Sequence, residues 1–264
     1  MIALPDQQLV PFLQWALPRL GMRWRGFRKV RRQVKRRIAR RLDALGLTEL
    51  GDYRALLERD AREWAALDAC CRVTISRFYR DHGVWRHLTA RLPEMARAAG
   101  RELRALSLGC ASGEEPYTLA ILARELDLPL RVVACDVSAE LVARARAGRY
   151  PSASAGSLPA AWRTHAFAER EAGVLEIAAP LRSAVAFFVA DVRRLPLRTR
   201  FDVVLCRNLA FTYFDAKAQA RVLDALVAVM APGALLVLGM HEQLDDPRLA
   251  PDAGGNLPVC RRRP

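Results

Sequence analysis

The sequence predicts an α/β protein: a parallel sheet with helices on both faces, preceded by a small all-helical domain. Three observations predict it. From Leu103 onward, short apolar runs alternate with helical apolar patterns, as in strands buried on both faces and joined by crossover helices. The run Leu103–Leu108 is cut off by the small-residue loop Gly109–Gly113, and a helical pattern follows at once. That is the strand, loop and helix corner at which such sheets bind nucleotides. Upstream, between about Arg25 and Leu45, apolar residues recur at three- and four-residue spacings, the helical period.

The bulk properties bound the answer. A chain of 264 residues holds one large domain, or one domain and a smaller one. At 52% hydrophobic and 27% charged it is globular in composition. No apolar run approaches the roughly 20 residues of a membrane span. Val10–Leu17 is short, is broken by Pro11 and lacks the basic start of a signal peptide, so no membrane insertion is expected. The six cysteines, Cys70, Cys71, Cys110, Cys135, Cys206 and Cys260, show no CxxC spacing. They imply a cytoplasmic protein in a reducing compartment, with no disulfide framework and no metal site. The formal net charge of +14 calls for an acidic partner, either nucleic acid or an acidic protein surface. Much of the excess lies between Arg19 and Arg41, which contains no Asp or Glu.

Residues 1–18 are weakly patterned and interrupted by Pro5, Pro11 and Pro18. The first helix is expected over about Arg25–Leu45, with Phe27, Val30, Val34, Ile38, Leu42 and Leu45 on one face, arginines and lysines on the other, and Gly46 as its end. Helices over about Leu47–Glu58 and Asp60–Cys71 complete a domain of residues 1–72. Residues 73–102 form a linker, whose polar and aromatic mixture suits a ligand-facing segment, and a helix, Arg80–Ala99. The domain of residues 103–264 has strands at about Leu103–Leu108, Leu130–Cys135, Val185–Ala190, Asp202–Cys206 and Ala234–Gly239. Helices lie between them at Glu115–Leu126, Ala139–Ala147 and Ala216–Ala231. Tyr150–Leu181 breaks the rhythm and reads as a small antiparallel insertion with extended pieces at Thr164–Phe167 and Val174–Ile177. The tail after Asp245, with Pro247, Pro251, Gly254 and Gly255, is expected to be loop.

Ligands of a parallel sheet bind outside the carboxyl ends of its strands. Gly109 and Gly113 permit close backbone approach and positive φ, and Ser112 and Glu115 have capping-box spacing. Asp136, at the end of the second strand, can accept both hydroxyls of a ribose. Asp191, at the end of the third, can accept an adenine amino group. The fourth ends in CRNLAFTYFD, which presents Arg207, Asn208 and Tyr213. A pyrophosphate binder keeps its helix N-terminus free of acids. Glu114 and Glu115 stand there instead; they repel phosphate and attract an ammonium or a sulfonium. S-adenosylmethionine carries both cations with adenine and ribose, so it is the expected cofactor, with S-adenosylhomocysteine as product.

GCASGEEPYTLA, ACDVS, ARAGRY, CRNLAFTYFD and the upstream SRFYRD resemble, in this order, the motifs of the CheR-type chemotaxis receptor glutamate O-methyltransferases. The resemblance runs from about Arg28 to Leu244. It implies a class I, Rossmann-like methyltransferase domain carrying a small β-subdomain at about 150–181, behind an all-α domain. Carried over by position, Thr74, Ser76 and Arg80 become linker contacts to the cofactor, Glu114 meets the methionine amino group, and Asp136 meets the ribose. Asp191 and Val192 flank the adenine, Asn208 and Leu209 line the pocket near it, and Tyr213 lies next to the transferring methyl. The chain departs from the pattern at Thr74, Ser76 and Asp191, each still a hydrogen-bonding residue. It departs further at GMHE, Gly239–Glu242, where the family reads GHSE.

The expected reaction is methylation of glutamate side chains on a chemoreceptor-like signalling protein. Tyr213 and Arg80 are its catalytic residues, and the basic N-terminal helices dock the acidic target. The enzyme is expected to act as a monomer. One alternative is a CheR-like module that binds cofactor without methylating a receptor. The other is a nucleic-acid methyltransferase. That alternative lacks the Asn/Asp-Pro-Pro-aromatic signature after the fourth strand, where this chain has RNLAF, and it lacks a known RNA-binding motif, so no nucleic-acid partner is expected.

Overall fold

The computed structural model describes residues 4–195, 198–252 and 256–264, and the backbone alone for 169–171. The chain divides into two compact units. One is the chain up to Thr74 with Thr212–Ala220, and the other is Ile75–Phe211 with Arg221–Pro264.

The first unit opens with α1, Asp6–Ala16, where only weak pattern was expected. Leu9, Phe12, Leu13 and Ala16 are buried at helical spacing. Burial of that face outweighs the roughly 3 kcal/mol that an internal proline costs, and Pro11 faces outward. The expected single helix over Arg25–Leu45 is instead two, α2 at Trp24–Phe27 and α3 at Arg31–Leu45. The break has a tertiary cause. Gly26 lies so close to Thr212 that a Cβ there would stand 2.3 Å from the Thr212 carbonyl oxygen. Arg23 N–H donates to the Tyr213 carbonyl at 2.8 Å, and Met22 bridges to Phe214. The helices α4, Leu50–Arg59, and α5, Glu63–Cys71, start about three residues later than expected. Buried Glu63 joins them to α3: its carboxylate accepts from the Arg41 guanidinium at 2.9 and 2.5 Å and from Tyr53 Oη at 2.8 Å.

The second unit runs α6 His82–Ala99, β1 Leu103–Leu108, α7 Glu114–Glu125, β2 Leu130–Asp136, α8 Ala139–Ala147, β3 Arg149–Pro151, α9 Ala160–Ala166, β4 Phe167–Glu171, β5 Val174–Ile177, α10 Ala179–Ser183, β6 Val185–Val189 and β7 Phe201–Cys206. There follow α11 Ala210–Tyr213 and α12 Ala216–Val229, of which residues 212–213 and 216–220 belong to the first unit, then β8 Met230–Leu238, β9 Leu249–Pro251 and β10 Val259–Arg262. The seven-stranded sheet has the order β6-β2-β1-β7-β8-β10-β9. Its first five strands are parallel, with Leu106 opposite both Val133 and Val204. Ala105, Leu106, Val132, Ala134, Val203, Val204, Leu235 and Val237 are fully buried, as strands covered on both faces require.

Two expectations for this unit fail. The tail is not all loop: β9 and β10 extend the sheet antiparallel to β8. Directly after β9, Asp252 has a wholly buried carboxylate that meets His87 and Arg91 of α6 and Arg261 of β10. Gly254 and Gly255 lie outside the described residues. The insertion does form a small antiparallel sheet, β3-β5-β4, but Thr164–Ala166 belong to α9 and only Phe167 begins a strand. Ala166 is buried while Trp162, four residues before it, packs on the same core, and that helical spacing overrides the β preference of Thr164. Among the described residues no helix is long and apolar enough to cross a membrane.

Candidate active site

Strand order reverses beside β1. The chain moves outward through β2 to β6, then returns to place β7 on the other side of β1. The crevice outside the carboxyl ends at such a reversal is where a doubly wound sheet takes its ligand. The loops after β1, β2, β7 and β8 are tied together there.

The loop after β1 is forced into a tight path. Gly109 has φ +66°, and a Cβ on it would lie 2.8 Å from Leu209 Cδ2, so the loops after β1 and β7 touch. Ala111, with φ +48°, donates its N–H to Asp136 Oδ2 at 2.9 Å, and Ser138 N–H donates to Oδ1 at 2.9 Å. Each carboxylate oxygen of the half-buried Asp136 keeps a second lone pair. Two vicinal hydroxyls can use them.

Gly113 caps α7 at φ +97°, and a Cβ there would lie 2.9 Å from both Ala145 Cβ and Tyr150 Oη. Tyr150 Oη donates to the Ser112 carbonyl at 2.7 Å. Burial, with the Glu114 charge adding to it, pushes the Tyr150 phenol well up, so it stays a neutral donor. Replacement of Gly113 by Ala is expected to loosen this corner and weaken cofactor binding at least about tenfold, read by calorimetric titration, because strained φ and a steric overlap act together.

Glu114 and Glu115 do not act alike. Glu114, 6% exposed, faces Ser112 Oγ at 2.9 Å from both its oxygens, and that hydroxyl has one proton to give. The rest of its accepting capacity remains for a cation. Glu115 does not close a capping box with Ser112. It accepts from Ser107 Oγ at 2.9 Å and pairs with Arg207 at 3.0 Å. Its charge is therefore neutralised within the protein, and only Glu114 attracts a cationic ligand.

Asn208 sits at φ +53°, and its N–H and that of Gly239 both donate to Glu242 Oε2, at 3.0 and 2.7 Å. Glu242, 4% exposed, thus pins the loop after β8 to the loop after β7. A side chain at Gly239 would overlap Asn208, with 2.4 Å from Cβ to Nδ2. Asp191 caps the turn Val192–Arg194 and accepts from the Arg193 N–H at 2.9 Å and from its guanidinium at 2.7–3.0 Å. That carboxylate is largely committed to its own turn. Val192 beside it is buried.

In the linker, Ser76 is half-buried. Arg80 reaches the Ile75 carbonyl at 3.4 Å and stands 3.8 Å from Asp81. Thr74 and Tyr213 fall in the first unit. Thr74 Oγ1 accepts from Gln33 Nε2 at 3.3 Å and Arg37 at 3.1 Å. The Tyr213 ring lies 5.1 Å from that of Phe27. The structure therefore brings Gly109, Glu114, Asp136, Asn208 and Leu209 into one connected set of loops, whereas Thr74 and Tyr213 make their described contacts within the first unit.

Residues 74–252 match the family described as CheR methyltransferase, SAM binding domain, and residues 29–67 match CheR methyltransferase, all-alpha domain. The chain belongs to the CheR methyltransferase family. It is 32% identical to the chemotaxis protein methyltransferase of Escherichia coli over 80% of this chain and 76% of that one. It is 30% identical to the protein of that name from Salmonella typhimurium over 82% and 77%. An uncharacterized 104.1 kDa protein of Rhodobacter capsulatus is 34% identical over 80% of this chain, which spans only 23% of that longer protein.

The CheR family chain is thus an S-adenosylmethionine-dependent methyltransferase, and its crevice fits that cofactor: a buried carboxylate for the ammonium at Glu114, a paired acceptor for the ribose at Asp136, and glycines where backbone must come close. Sequence reasoning missed three residues that build this site. They are Arg207, which pairs with Glu115, Glu242, which ties two loops together, and Tyr150, which holds the Ser112 carbonyl. Each acts through a partner distant in the chain, which no local spacing reveals.

Proposed function

We propose that this CheR family member methylates glutamate side chains on the cytoplasmic helical region of a chemoreceptor-like protein, working as a monomer in the cytoplasm. The observation that carries the target class is the basic stripe on α3. Arg32, Arg36 and Arg40 are exposed at four-residue spacing, in a stretch from Arg19 to Arg41 without a single acid. An acidic helix is the complementary partner.

When bound, S-adenosylmethionine supplies a methyl on a sulfonium, which is an electrophile. A glutamate side chain, with a reference pKa of about 4.3, is already ionised at neutral pH and needs no base to become a nucleophile. The protein's task is then positioning. Glu114 takes the ammonium, Asp136 the ribose, and Asp191 and Val192 flank the adenine, while Thr74, Ser76, Arg80, Asn208 and Leu209 line the remainder. The Tyr213 hydroxyl and the Arg80 guanidinium aim the target carboxylate. The reaction joins two opposite charges, so exclusion of water favours it.

Incubation of the protein with radiolabelled S-adenosylmethionine and bacterial membranes is expected to place base-labile label on a receptor-sized band. Alkali-stable label, or label on RNA, rejects the proposal. Tight cofactor binding without label on any membrane protein favours a binding module, which the GMHE departure would suit.

A further inference from the structure

We propose that Arg207 is a positioning residue for Arg80: it clamps the strained linker turn from which Arg80 projects. The inference rests on the reading of Arg80 as a cofactor contact.

The turn needs a clamp. Tyr79 and Asp81, on either side of Arg80, both have left-handed backbones, with φ of 55° and 62°. Non-glycine residues are strained in that region and persist only where their surroundings over-determine them. Arg207 supplies much of that surrounding. Its side chain, 4% exposed, lies 2.6 Å from Asp81 and 3.0 Å from Glu115. The same guanidinium donates to the Arg80 carbonyl at 3.3 Å and stands over the Trp85 ring, 5.7 Å from its centroid. Trp85 Nε1 donates to that same carbonyl at 2.7 Å. The Arg80 carbonyl therefore has two donors fixed on it, and the residue after it carries an ion pair.

The Arg80 side chain is treated differently. It is 39% exposed, and its Nε lies 3.8 Å from the same Asp81 oxygen that Arg207 holds. The four groups Arg80, Asp81, Arg207 and Glu115 sum to zero charge, and Arg80 is their outward member. Backbone and head direction are thus set from within, and the guanidinium remains accessible. Only arginine meets this geometry, because a planar fork can reach two carboxylates while stacking on an indole.

The test is a double-mutant cycle on the full chain, read as the affinity for S-adenosylhomocysteine by titration calorimetry. Arg80→Ala and Arg207→Lys are each expected to weaken binding about tenfold, and the double variant to bind within about twofold of Arg80→Ala, since residues acting through one another are non-additive. Thermal unfolding of the cofactor-free variants verifies the fold. If Arg207→Lys does not fold, Asp81→Asn, which removes the negative charge shared by the two arginines, takes its place with the same expectation. Multiplicative losses, about a hundredfold in the double variant, overturn the proposal, as does wild-type affinity in Arg207→Lys when Arg80→Ala is weakened. Unchanged binding in Arg80→Ala rejects the role of Arg80 itself, and the proposal with it.

Discussion

Asp136→Ala is expected to abolish measurable binding of S-adenosylmethionine, while Tyr213→Phe binds it near normally and transfers methyl slowly. Asp136 is a carboxylate acceptor with one backbone N–H on each oxygen. Two ligand hydroxyls on its remaining lone pairs are each worth about 1.5–3 kcal/mol as hydrogen bonds to a charged group. At about 1.4 kcal/mol per decade, their joint loss is roughly a hundred- to ten-thousandfold in affinity. The truncation also leaves the Ala111 N–H without its acceptor, and that residue holds the loop after β1 at a positive φ. Asp136→Asn keeps one accepting oxygen and falls between. Tyr213, by contrast, loses only its hydroxyl in the Phe variant, and its ring packing on Phe27 is preserved. Calorimetry with cofactor and label incorporation on membranes separate the two effects. Equal loss of binding in both variants contradicts the roles assigned.

The second large effect concerns stability. Asp252→Ala is expected to destabilise the second unit by about 3–5 kcal/mol, because removal of one partner from a buried ion cluster leaves the others uncompensated. For a protein of this size that lowers the melting temperature by roughly 6–20 °C. The carboxylate is wholly buried, 2.8 Å from His87 Nε2 and 2.6 Å from an Arg261 nitrogen. Burial opposes its ionisation, but hydrogen bonds from Arg261, His87 and Arg91 outweigh that and hold it below the usual carboxylate range. A carboxylate depressed in the folded state stabilises fully above its unfolded pKa of about 3.9 and loses that contribution as pH falls through the folded value. Thermal melts should therefore show wild type losing its advantage over Asp252→Ala below about pH 4. A constant difference between the two down to that range speaks against the cluster.

Much of the fold was legible because it rests on local pattern. The β1 and α8 boundaries match the apolar periods residue for residue. The failures have a common cause. Pro11 in α1, the break before Arg31 and the helix at Ala160–Ala166 are set by what each segment packs against. The two acids at the start of α7 look equivalent in sequence, yet one stays available for a ligand and the other is neutralised by a residue 92 positions away.

By itself the sequence determined the alternation of strands and helices, the crevice loops, and the class of ligand, because side-chain type and spacing carry that information within a few residues. Only the tertiary structure decided which charges remain for the ligand. Arg207 and Asp81 stand 126 residues apart in the chain, and a charge is cancelled by distance in space, which no order along the chain records.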